Sequence, residues 1–426
     1  MKKTCAVLWL AAFVAPAFAA KVDRVLVRQQ WPWSSEVRVE YSVSGTEHPA
    51  AVSFKFFDGE SELTPTDTTA LKGDTAYAGN GLHIVTFDPK ALFGLSDTQQ
   101  FADFRVKVSL GEESALMSDK LYRIIDLDTG KITDLVRADF YNNKGYGTFE
   151  TDFSVFGSGG WKTSLENVLI WTGVTNNPIY KTSKIVMRYI TAKDQTFIMG
   201  DNSVAASSPA HEVTLKSDYY LSVFEITQAQ LFKLTGKYGK DATNGVGHEL
   251  WPAGGRWDDV WGRPSTWPTG LHDVTMTSGG FFAKLRSLVG GGIPFDFPTE
   301  ARWEFACRAG TTTTLYTGVD NTTDRMKLGV SMGGQASSPE EVGRYLPNAF
   351  GLYDMYSNGV EWCLDYYAAY TSDEQVEPIG PNSSSEGHAY RGSGYGSKNS
   401  AKTNTSVRRG GAPSANYGCR LWCPAE

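Results

Sequence analysis

The chain lacks two features that would place it among membrane-spanning or nucleic-acid-binding proteins. Beyond its first twenty residues, the 426-residue sequence has no apolar run long enough to cross a bilayer, which takes about 20 consecutive residues in a helix. It also lacks a concentrated patch of Lys and Arg, and its 40 basic residues are outnumbered by 47 acidic ones. A nucleic-acid-binding face is normally basic. We therefore expect no transmembrane segment and no nucleic-acid partner.

Familiar catalytic motifs are also missing. No two of the six His residues are three or four positions apart, as the closely spaced His ligands of many metal enzymes would be. The sequence contains no Walker phosphate loop and no His-x-x-Glu-His motif. These absences argue against phosphate transfer on a P-loop and against zinc-dependent proteolysis.

The first twenty residues have the pattern of a secretory signal peptide. Lys2 and Lys3 form a basic start, residues 6–16 are apolar, and residues 17–19 supply the small-x-small cleavage pattern. The apolar run is too short for a membrane anchor. We expect residues 1–20 to be removed and the mature chain to be exported, secreted or periplasmic, to a compartment where disulfides persist.

Residues 21–125 carry the alternation of half-buried β-strands. Val37, Val39, Tyr41 and Val43 recur at every second position with polar residues between them. Similar runs occupy residues 51–56, 83–87 and 104–108. Short strands separated by glycine-containing turns predict an all-β sandwich of the immunoglobulin-like type, which would act as a spacer or interaction module.

The rest of the chain divides near residue 190. Residues 126–190 are too apolar for a flexible linker, so we expect connecting strands and loops that pack on the C-terminal domain. Beyond residue 191, capping residues and the helical spacing of apolar residues predict three short helices among many loops. The predicted helices run from Thr227 to Gly236, from Ser278 to Gly290 and from Thr299 to Gly310.

One segment of this domain combines a turn, an apolar stretch and a polar pair. Asn348 and Gly351 supply the turn, and residues 352–355 read as a buried strand. Asn358 and Glu361 lie three apart on a tight loop, where amide, carboxylate and backbone oxygens suit a hard cation such as Ca²⁺. The alternative is a tight turn in which both side chains satisfy loop N–H groups, an arrangement far commoner than a metal site.

Four cysteines remain after removal of the leader: Cys307, Cys363, Cys419 and Cys423. An even number in an exported chain favours two disulfides, and four cysteines allow three pairings. The alternative is that Cys363 and Cys419 stay buried as thiols. The count alone leaves the pairing open.

Two blocks of sequence resemble those of a known family. Residues 351–362, GLYDMYSNGVEW, resemble the GLYDM-x-GN-x-WEW segment of the formylglycine-generating enzymes, or sulfatase-modifying factors, with Val360 in place of the first Trp. Residues 297–310, FPTEARWEFACRAG, are similar to the family's LPTEAEWEYA-x-RGG block. Weaker matches lie at residues 197–200, 391–395 and 418–421. The resemblance covers residues 191–426 in family order and implies an α+β, C-type-lectin-like formylglycine-generating-enzyme fold.

The resemblance also implies a disulfide pairing. The family often joins the helix of its CRGG segment to the C-terminal strand that carries GFR. By position, this implies a bridge from Cys307 to Cys423, which would leave Cys363 with Cys419.

The oxidising enzymes of this family depend on two cysteines that the chain lacks. In those enzymes they lie five residues apart, just after the GGS-aromatic turn, where they bind copper as thiolates and activate oxygen at the substrate cysteine. The matching positions here are Ser397 and Lys402, and no Cys occurs between residues 364 and 418. Hydroxyl and ammonium groups do not suit Cu(I), so we do not expect copper.

The residues that remain around this segment favour binding. Aromatic rings supply stacking area, and Arg guanidinium groups recognise carboxylate or sulfate. The predicted ligand-binding residues are Trp362, Tyr366, Tyr395, Ser397, Lys402, Arg408 and Arg409. A peptide or an anionic glycan fits such a surface, and the alternative is a solvated loop whose charges contact nothing.

Two hypotheses of function follow. The first is a non-catalytic binding module on a formylglycine-generating-enzyme-like scaffold, motivated by the missing cysteine pair. The second is an oxidoreductase of that family, acting on a sulfatase cysteine or a related substrate through a different metal arrangement. The strength of the two fold blocks motivates the second hypothesis.

Overall fold

A computed structural model describes residues 20–29, 35–46, 49–75, 77–96, 101–113, 120–136, 139, 170–240, 247–264, 274–317, 320–329, 338–395, 408–413 and 415–425. Its contacts divide the chain into two compact units, with the boundary between Asp119 and Lys120. The boundary predicted near residue 125 falls inside a strand of the second unit, because residues 120–126 pair with two other strands of that unit.

The first unit consists of β-strands and one short helix in its described part. The strands are Lys21–Gln29 (β1), Val37–Ser44 (β2), Ala50–Asp58 (β3), Ser61–Leu63 (β4), Lys72–Gly73 (β5), Tyr77–Ala78 (β6), Gly81–Phe87 (β7) and Phe104–Glu113 (β8). The helix is Pro89–Phe93 (α1), and a 3-10 turn lies at Thr68–Ala70.

Two antiparallel sheets form this unit. One has the order β1-β2-β7-β5, and in the other β3 pairs with β4, β6 and β8. Strand β2 alternates as predicted, since Val37, Val39, Tyr41 and Val43 are buried and the residues between them are more exposed. These four side chains pack with Phe56 of the second sheet in one apolar core. The strands expected in this region are therefore present, and the two sheets pack face to face.

The second unit mixes short helices with small sheets, which makes it α+β. Its strands are Lys120–Asp126 (β9), Ile132–Val136 (β10), Lys184–Ile190 (β11), Thr196–Met199 (β12), His211–Thr214 (β13), Tyr219–Ser222 (β14), Glu361–Tyr366 (β15), Gln375–Val376 (β16), His388–Arg391 (β17), Arg408–Gly411 (β18) and Trp422–Pro424 (β19). Its helices are Ile179–Thr182 (α2), Gln228–Thr235 (α3), Phe281–Leu288 (α4), Glu300–Arg308 (α5) and Thr322–Lys327 (α6), with 3-10 turns at Thr172–Asn176 and Ala205–Ser207.

A five-stranded antiparallel sheet holds the second unit together. Its order is β10-β9-β11-β14-β19. Strand β14 pairs on one side with β11, from the connecting region, and on the other side with β19, the last strand of the chain. Strand β11 is buried along nearly its whole length, which is typical of a strand covered on both faces. Two three-stranded sheets, β12-β13-β16 and β15-β17-β18, complete the unit.

Two of the three predicted helices begin where their capping residues indicated. The Thr227 hydroxyl accepts the N–H of Gln230, and the Gln230 side chain accepts the N–H of Thr227, which forms a capping box at the start of α3. Gly236 ends that helix in the left-handed conformation, at φ 72°. Thr299 accepts the N–H of Arg302 and begins α5.

The predicted cap of the remaining helix is wrong. Helix α4 begins at Phe281 with Gly280 as its N-cap, and no side chain caps it. A Cβ atom at Gly280 would lie 2.4 Å from the Cα atom of Gly262, so close backbone packing fixes this helix start. All these helices are short, and none within the described residues has the length and apolar character of a membrane span.

Helix α5 lies in the centre of the second unit. All nine of its residues are buried, including the charged ones. Trp303 and Cys307 belong to an apolar core that also contains Leu352 and Met355, as expected for core rather than site residues. Charged groups on a fully buried helix need partners, and those partners organise the region described next.

Candidate functional site

The loop after Asn348 is buried but is not a strand. The Asn348 side-chain oxygen accepts two N–H groups of its own loop, and its amide nitrogen donates to the carbonyl groups at the end of α5, at 2.7 and 3.1 Å. Leu352 and Met355 are fully buried. Asp354 and Asn358, however, have positive φ angles of 60° and 69°, which interrupt extended geometry. The predicted turn is therefore present, and the predicted strand is wrong.

Asn358 is held by a buried carboxyl group and by a neighbouring backbone. Its side-chain nitrogen donates to Glu225 Oε2 and to the Glu340 carbonyl, both at 3.2 Å, while its oxygen accepts the Glu340 N–H at 2.9 Å. Glu225 also accepts the N–H of Gly359 at 2.6 Å. Burial, and then the nearby Glu361 carboxylate, raise the pKa of Glu225 well above its usual range. The Asn358 amide oxygen thus accepts a hydrogen bond from the loop backbone.

Glu361 belongs to a different network. Arg420 donates from Nε to both of its carboxylate oxygens, at 2.9 and 3.1 Å, and the indole N–H of Trp303 donates to Oε2 at 2.6 Å. All three side chains are buried. The carboxylate that was predicted to bind a cation is therefore paired with a protein cation.

The structure does not join the oxygens of Asn358 and Glu361 into one shell. Among the described residues, no group of three or more His, Cys, Asp or Glu side chains is arranged to hold a metal ion. The tight-turn alternative accounts for Asn358, which bonds the loop backbone, but not for Glu361, whose partners are Arg420 and Trp303. A calcium site here stays a prediction of the sequence alone, and the ion pair between Glu361 and Arg420 opposes it, so a direct measurement must decide between the two.

The four cysteines are buried thiols. Cys307 and Cys363 lie in one apolar core, and Cys419 and Cys423 lie in another, where Arg123 and Met187 contact the Cys423 sulfur at 3.7 and 4.0 Å. Burial raises the pKa of all four thiols. Both predicted bridges, Cys307–Cys423 and Cys363–Cys419, would have to join the two cores, and the structure forms neither.

Trp362 lies behind the surface rather than on it. Its side chain is fully buried and packs against Trp257 and Tyr417, with ring centroids 5.4 and 4.7 Å apart. Its indole N–H donates to the Gly255 carbonyl at 3.4 Å. Trp362 therefore supports the site region from the core and offers no ring to a ligand.

The other residues predicted to bind a ligand lie in different parts of the domain. Tyr366 and Arg408 line one cavity, and Tyr395 lines another. Arg409 is half-buried on β18, opposite Tyr390 of β17. Outside the described residues lie Ser397 and Lys402.

The cavity that Tyr395 lines, which we call the Tyr395 cavity, opens beside the turn after β17 and has a volume of about 280 Å³. Among the residues that line it are Lys240, Asn358, Val360, Gly394, Tyr395 and Tyr417. Small residues keep it open, since a Cβ atom at Gly394 would lie 3.2 Å from the Val360 side chain. Burial, and then Tyr390, raise the pKa of Tyr417 to about 12, so its hydroxyl is neutral. The cavity offers phenol groups, peptide groups and one ammonium group.

The cavity that Tyr366 and Arg408 line, which we call the Asp365 cavity, has a volume of about 300 Å³ and lies beside the start of α5. Its polar lining residues are His211, Glu300, Asp365, Tyr366, Tyr370, Gln375 and Arg408. Asp365 Oδ2 accepts the N–H of Glu300 at 2.7 Å. Burial, and then the Glu300 carboxylate, raise the pKa of Asp365 to about 7.

Buried ion pairs form one wall of the Asp365 cavity. Both Arg391 and Arg408 donate to Glu300, at 2.6–2.8 Å, and Arg391 also donates to Glu304 at 2.7 Å. Although burial opposes ionisation, Arg408 and Arg391 lower the pKa of Glu300 to about 2. Arg308 completes the chain of charges by donating to Glu304. Each carboxylate on the buried face of α5 thus has its cation.

Sequence reasoning did not identify Asp365 or Tyr370. A usable signal was present at Asp365, which is an acid between Leu364 and Tyr366 in a strand whose other residues, apart from Glu361, are apolar or aromatic. A buried acid in such a strand needs a local partner. Tyr370 carries no comparable local pattern, because its contacts with Arg391 and Arg408 arise only from the tertiary fold.

Comparison with known proteins identifies the family of this domain. The profile of the sulfatase-modifying factor enzyme 1-like domain matches residues 181–423, more than half of the chain. The chain belongs to this family. Its sulfatase-modifying-factor domain contains the buried charges on α5, the Asn358 loop and both cavities.

Two curated relatives of this chain are formylglycine-generating enzymes. The one from Streptomyces coelicolor is 29% identical over 158 residues, which cover 34% of this chain and 46% of the relative. The one from Mus musculus is 32% identical over 100 residues, which cover 20% of this chain and 26% of the relative. The chain therefore spans less than half the length of either relative.

Two solved structures also resemble part of this chain. Treponema denticola variable protein 1 is 22% identical, with a TM-score of 0.45. The match covers 57% of this chain and 95% of that protein. PvdO from Pseudomonas aeruginosa is 20% identical, with a TM-score of 0.40. The match covers 56% of this chain and 94% of that protein.

Proposed function

We propose that the sulfatase-modifying-factor domain is a binding domain without copper chemistry, and that a peptide or glycan occupies its Tyr395 cavity. The observation that carries this proposal is the position of the cysteines. All four in the second unit are buried in the core as thiols, and none occurs between residues 364 and 418. Soft thiolates are what Cu(I) requires, and none lines either cavity.

The lining of the Tyr395 cavity supports binding of a polar ligand. Tyr395 and Tyr417 offer apolar rings with polar tips, which suit peptide and sugar surfaces alike. Lys240 is the one charged side chain among its described lining residues, so an anionic or neutral group fits better than a cation. Glycine backbone at Gly394 permits close approach of the ligand.

A cavity-filling variant tests this proposal. The purified protein is labelled and applied to peptide and glycan arrays, beside Val360→Trp, which fills the cavity, and Met326→Trp, which adds the same side chain at a 63% exposed position on α6. We expect array binding by the wild type and by Met326→Trp, and loss of it in Val360→Trp. An empty array, or binding that survives Val360→Trp, would refute the proposal.

The alternative function is that of an oxidoreductase acting on a sulfatase cysteine or a related substrate through a different metal arrangement. The observation in its favour is the relation to formylglycine-generating enzymes. Incubation with a Cys-x-Pro-x-Arg peptide, oxygen, reductant and Cu(I), followed by mass spectrometry, distinguishes the two functions. Conversion of the cysteine to the aldehyde would establish the enzyme, and an unchanged peptide beside an active family enzyme would support the binding domain.

We also propose that the mature protein is exported and that its first unit is an immunoglobulin-like spacer or interaction module. The basic and apolar pattern of residues 1–20 supports export. The order β1-β2-β7-β5 matches the order of one sheet of immunoglobulin domains, which supports the module type. N-terminal sequencing of the secreted or periplasmic fraction tests export, since the mature chain should begin near Ala20 or Lys21.

A further inference from the structure

We propose that the Asp365 cavity is a second ligand site and that it binds a neutral, hydroxyl-rich molecule of monosaccharide size. Its lining residues and those of the Tyr395 cavity do not overlap in the described part of the chain. The inference therefore goes beyond the proposed function and does not depend on it.

The size of the cavity limits the ligand. A volume of about 300 Å³ lies at the small end of small-molecule sites, which span roughly 300–1,000 Å³. Gly380 keeps the space beside Asp365 open, because a Cβ atom there would lie 3.0 Å from the Asp365 Cβ atom and 2.9 Å from the Tyr366 carbonyl oxygen. A ring of monosaccharide size fits this volume, and a longer oligomer does not.

The charged wall of the cavity does not select an anion. Arg408 donates to both carboxylate oxygens of Glu300, at 2.6 Å each, and also to the Ala368 carbonyl. Its guanidinium group lies 3.9 Å from the centroid of the Tyr370 ring. A guanidinium that is already engaged in a bidentate pair has little remaining attraction for a sulfate or carboxylate ligand.

The remaining polar groups include both acceptors and donors. Asp365 is only 4% exposed, and its carboxylate accepts about four hydrogen bonds when ionised, of which the N–H at the start of α5 uses one. The Tyr370 oxygen accepts an N–H of Arg391 at 2.8 Å, so its own O–H proton is left to donate. His211 Nδ1 lies 3.2 Å from a backbone carbonyl, which assigns the proton to Nδ1 and leaves an acceptor at Nε2. Adjacent hydroxyl groups, which both donate and accept, match this set.

The charge of Asp365 adds a dependence on pH. Because its pKa is about 7, the carboxyl group is partly protonated at neutral pH, so the cavity attracts a cation less strongly than a fully ionised carboxylate would. Ligand hydroxyls that donate to the carboxylate stabilise its ionised form. Binding should therefore strengthen as the pH rises from 6 to 8.

Saturation-transfer NMR on the purified protein tests the inference. The probes are methyl glycosides of glucose, mannose, galactose and N-acetylglucosamine, with methylammonium as the cationic and methyl sulfate as the anionic comparator. Ala369→Trp fills the cavity from an exposed lining position, and Ser372→Trp places the same side chain on the same loop outside the cavity. Asp365→Asn removes the carboxylate and keeps the shape of the side chain.

We expect at least one glycoside to bind the wild type and Ser372→Trp, and none to bind Ala369→Trp. Asp365→Asn should weaken binding by about tenfold or more, as expected for loss of hydrogen bonds to a charged group, and should flatten its pH dependence. Val360→Trp should leave binding unchanged. The inference fails if no glycoside binds, if methylammonium or methyl sulfate binds in their place, if Ala369→Trp binds like the wild type, or if Val360→Trp abolishes the signal.

Discussion

Arg420 holds both carboxylate oxygens of Glu361 through its Nε group, at 2.9 and 3.1 Å, in a place where neither side chain is more than 1% exposed. The same guanidinium donates to backbone carbonyls at Val223 and Tyr353, so one cation joins the start of β15, the segment after β14 and the buried loop. Glu361 is therefore a structural acid in the core.

Glu361→Gln should strongly destabilise the protein. The variant leaves Arg420 buried without its anion, and breaking a buried pair in this way costs about 3–5 kcal/mol in the free energy of unfolding. Urea denaturation measures the change. Arg344→Gln breaks the surface pair with Glu340 and should cost less than about 1 kcal/mol. Equal effects of the two variants would contradict the structural role of Glu361.

Asp365→Asn should become more stable than the wild type as the pH rises. The folded protein raises the pKa of Asp365 from 3.8 to about 7, so the folded state holds this proton more tightly than the unfolded state does. The stability that this proton supplies is complete below pH 4 and is lost as the pH rises through 7. Asn cannot ionise, so its relative gain between pH 4 and 8 should reach up to about 4 kcal/mol.

Urea midpoints between pH 4.5 and 8 measure this gain. Asp373→Asn, on the same loop but exposed, is the matched control and should follow the wild type at every pH. A stability difference between Asp365→Asn and the wild type that does not vary with pH would show that burial does not perturb this carboxyl group.

The four thiols should be protected in the native protein. Each is buried with a raised pKa, and thiol reagents attack the exposed thiolate. A protein that begins at residue 21 should show no fast-reacting thiol when native and four in denaturant without reductant. If denaturation without reductant exposes none, the protein in solution contains the two disulfides predicted from its sequence.

Calcium should leave the thermal stability unchanged. Binding at Asn358 and Glu361 would require Glu361 to leave Arg420, which holds it in a buried pair. Melting curves of EDTA-treated protein with and without CaCl₂ decide the matter, because a ligand of the native state raises the melting temperature. A rise that Asn358→Ala abolishes would restore the calcium site predicted from the sequence.

Thr227→Ala should destabilise the protein, whereas Ser278→Ala should not. The Thr227 hydroxyl accepts the N–H of Gln230 and donates to the Lys181 carbonyl at 2.6 Å, so its loss should cost about 1–2 kcal/mol. Ser278 precedes α4 without capping it, so its removal should change the free energy of unfolding by less than about 0.5 kcal/mol. Urea denaturation of both variants compares them directly.

Local patterns predicted the elements that local physics governs. The alternation of Val37 to Val43 defines a strand because every second side chain faces the same core. The Thr227 and Thr299 caps fix helix starts because their partners lie three residues away. Ser278 offered the same chemistry, but the approach of Gly262 to Gly280 moved the helix start, and that approach depends on residues distant in sequence.

Motifs in the sequence were enough to recognise the family. The longer strands of the first unit, two helix caps and the Asn348 turn could also be predicted, because each of these depends on neighbours a few residues apart. The roles of the site residues, in contrast, depend on partners that are distant in sequence. The partner of Glu361 lies 59 residues away at Arg420, and those of Glu300 lie 91 and 108 residues away. The choice between a metal ligand and a buried ion pair is electrostatic, and it depends on which charge the fold brings within hydrogen-bonding distance.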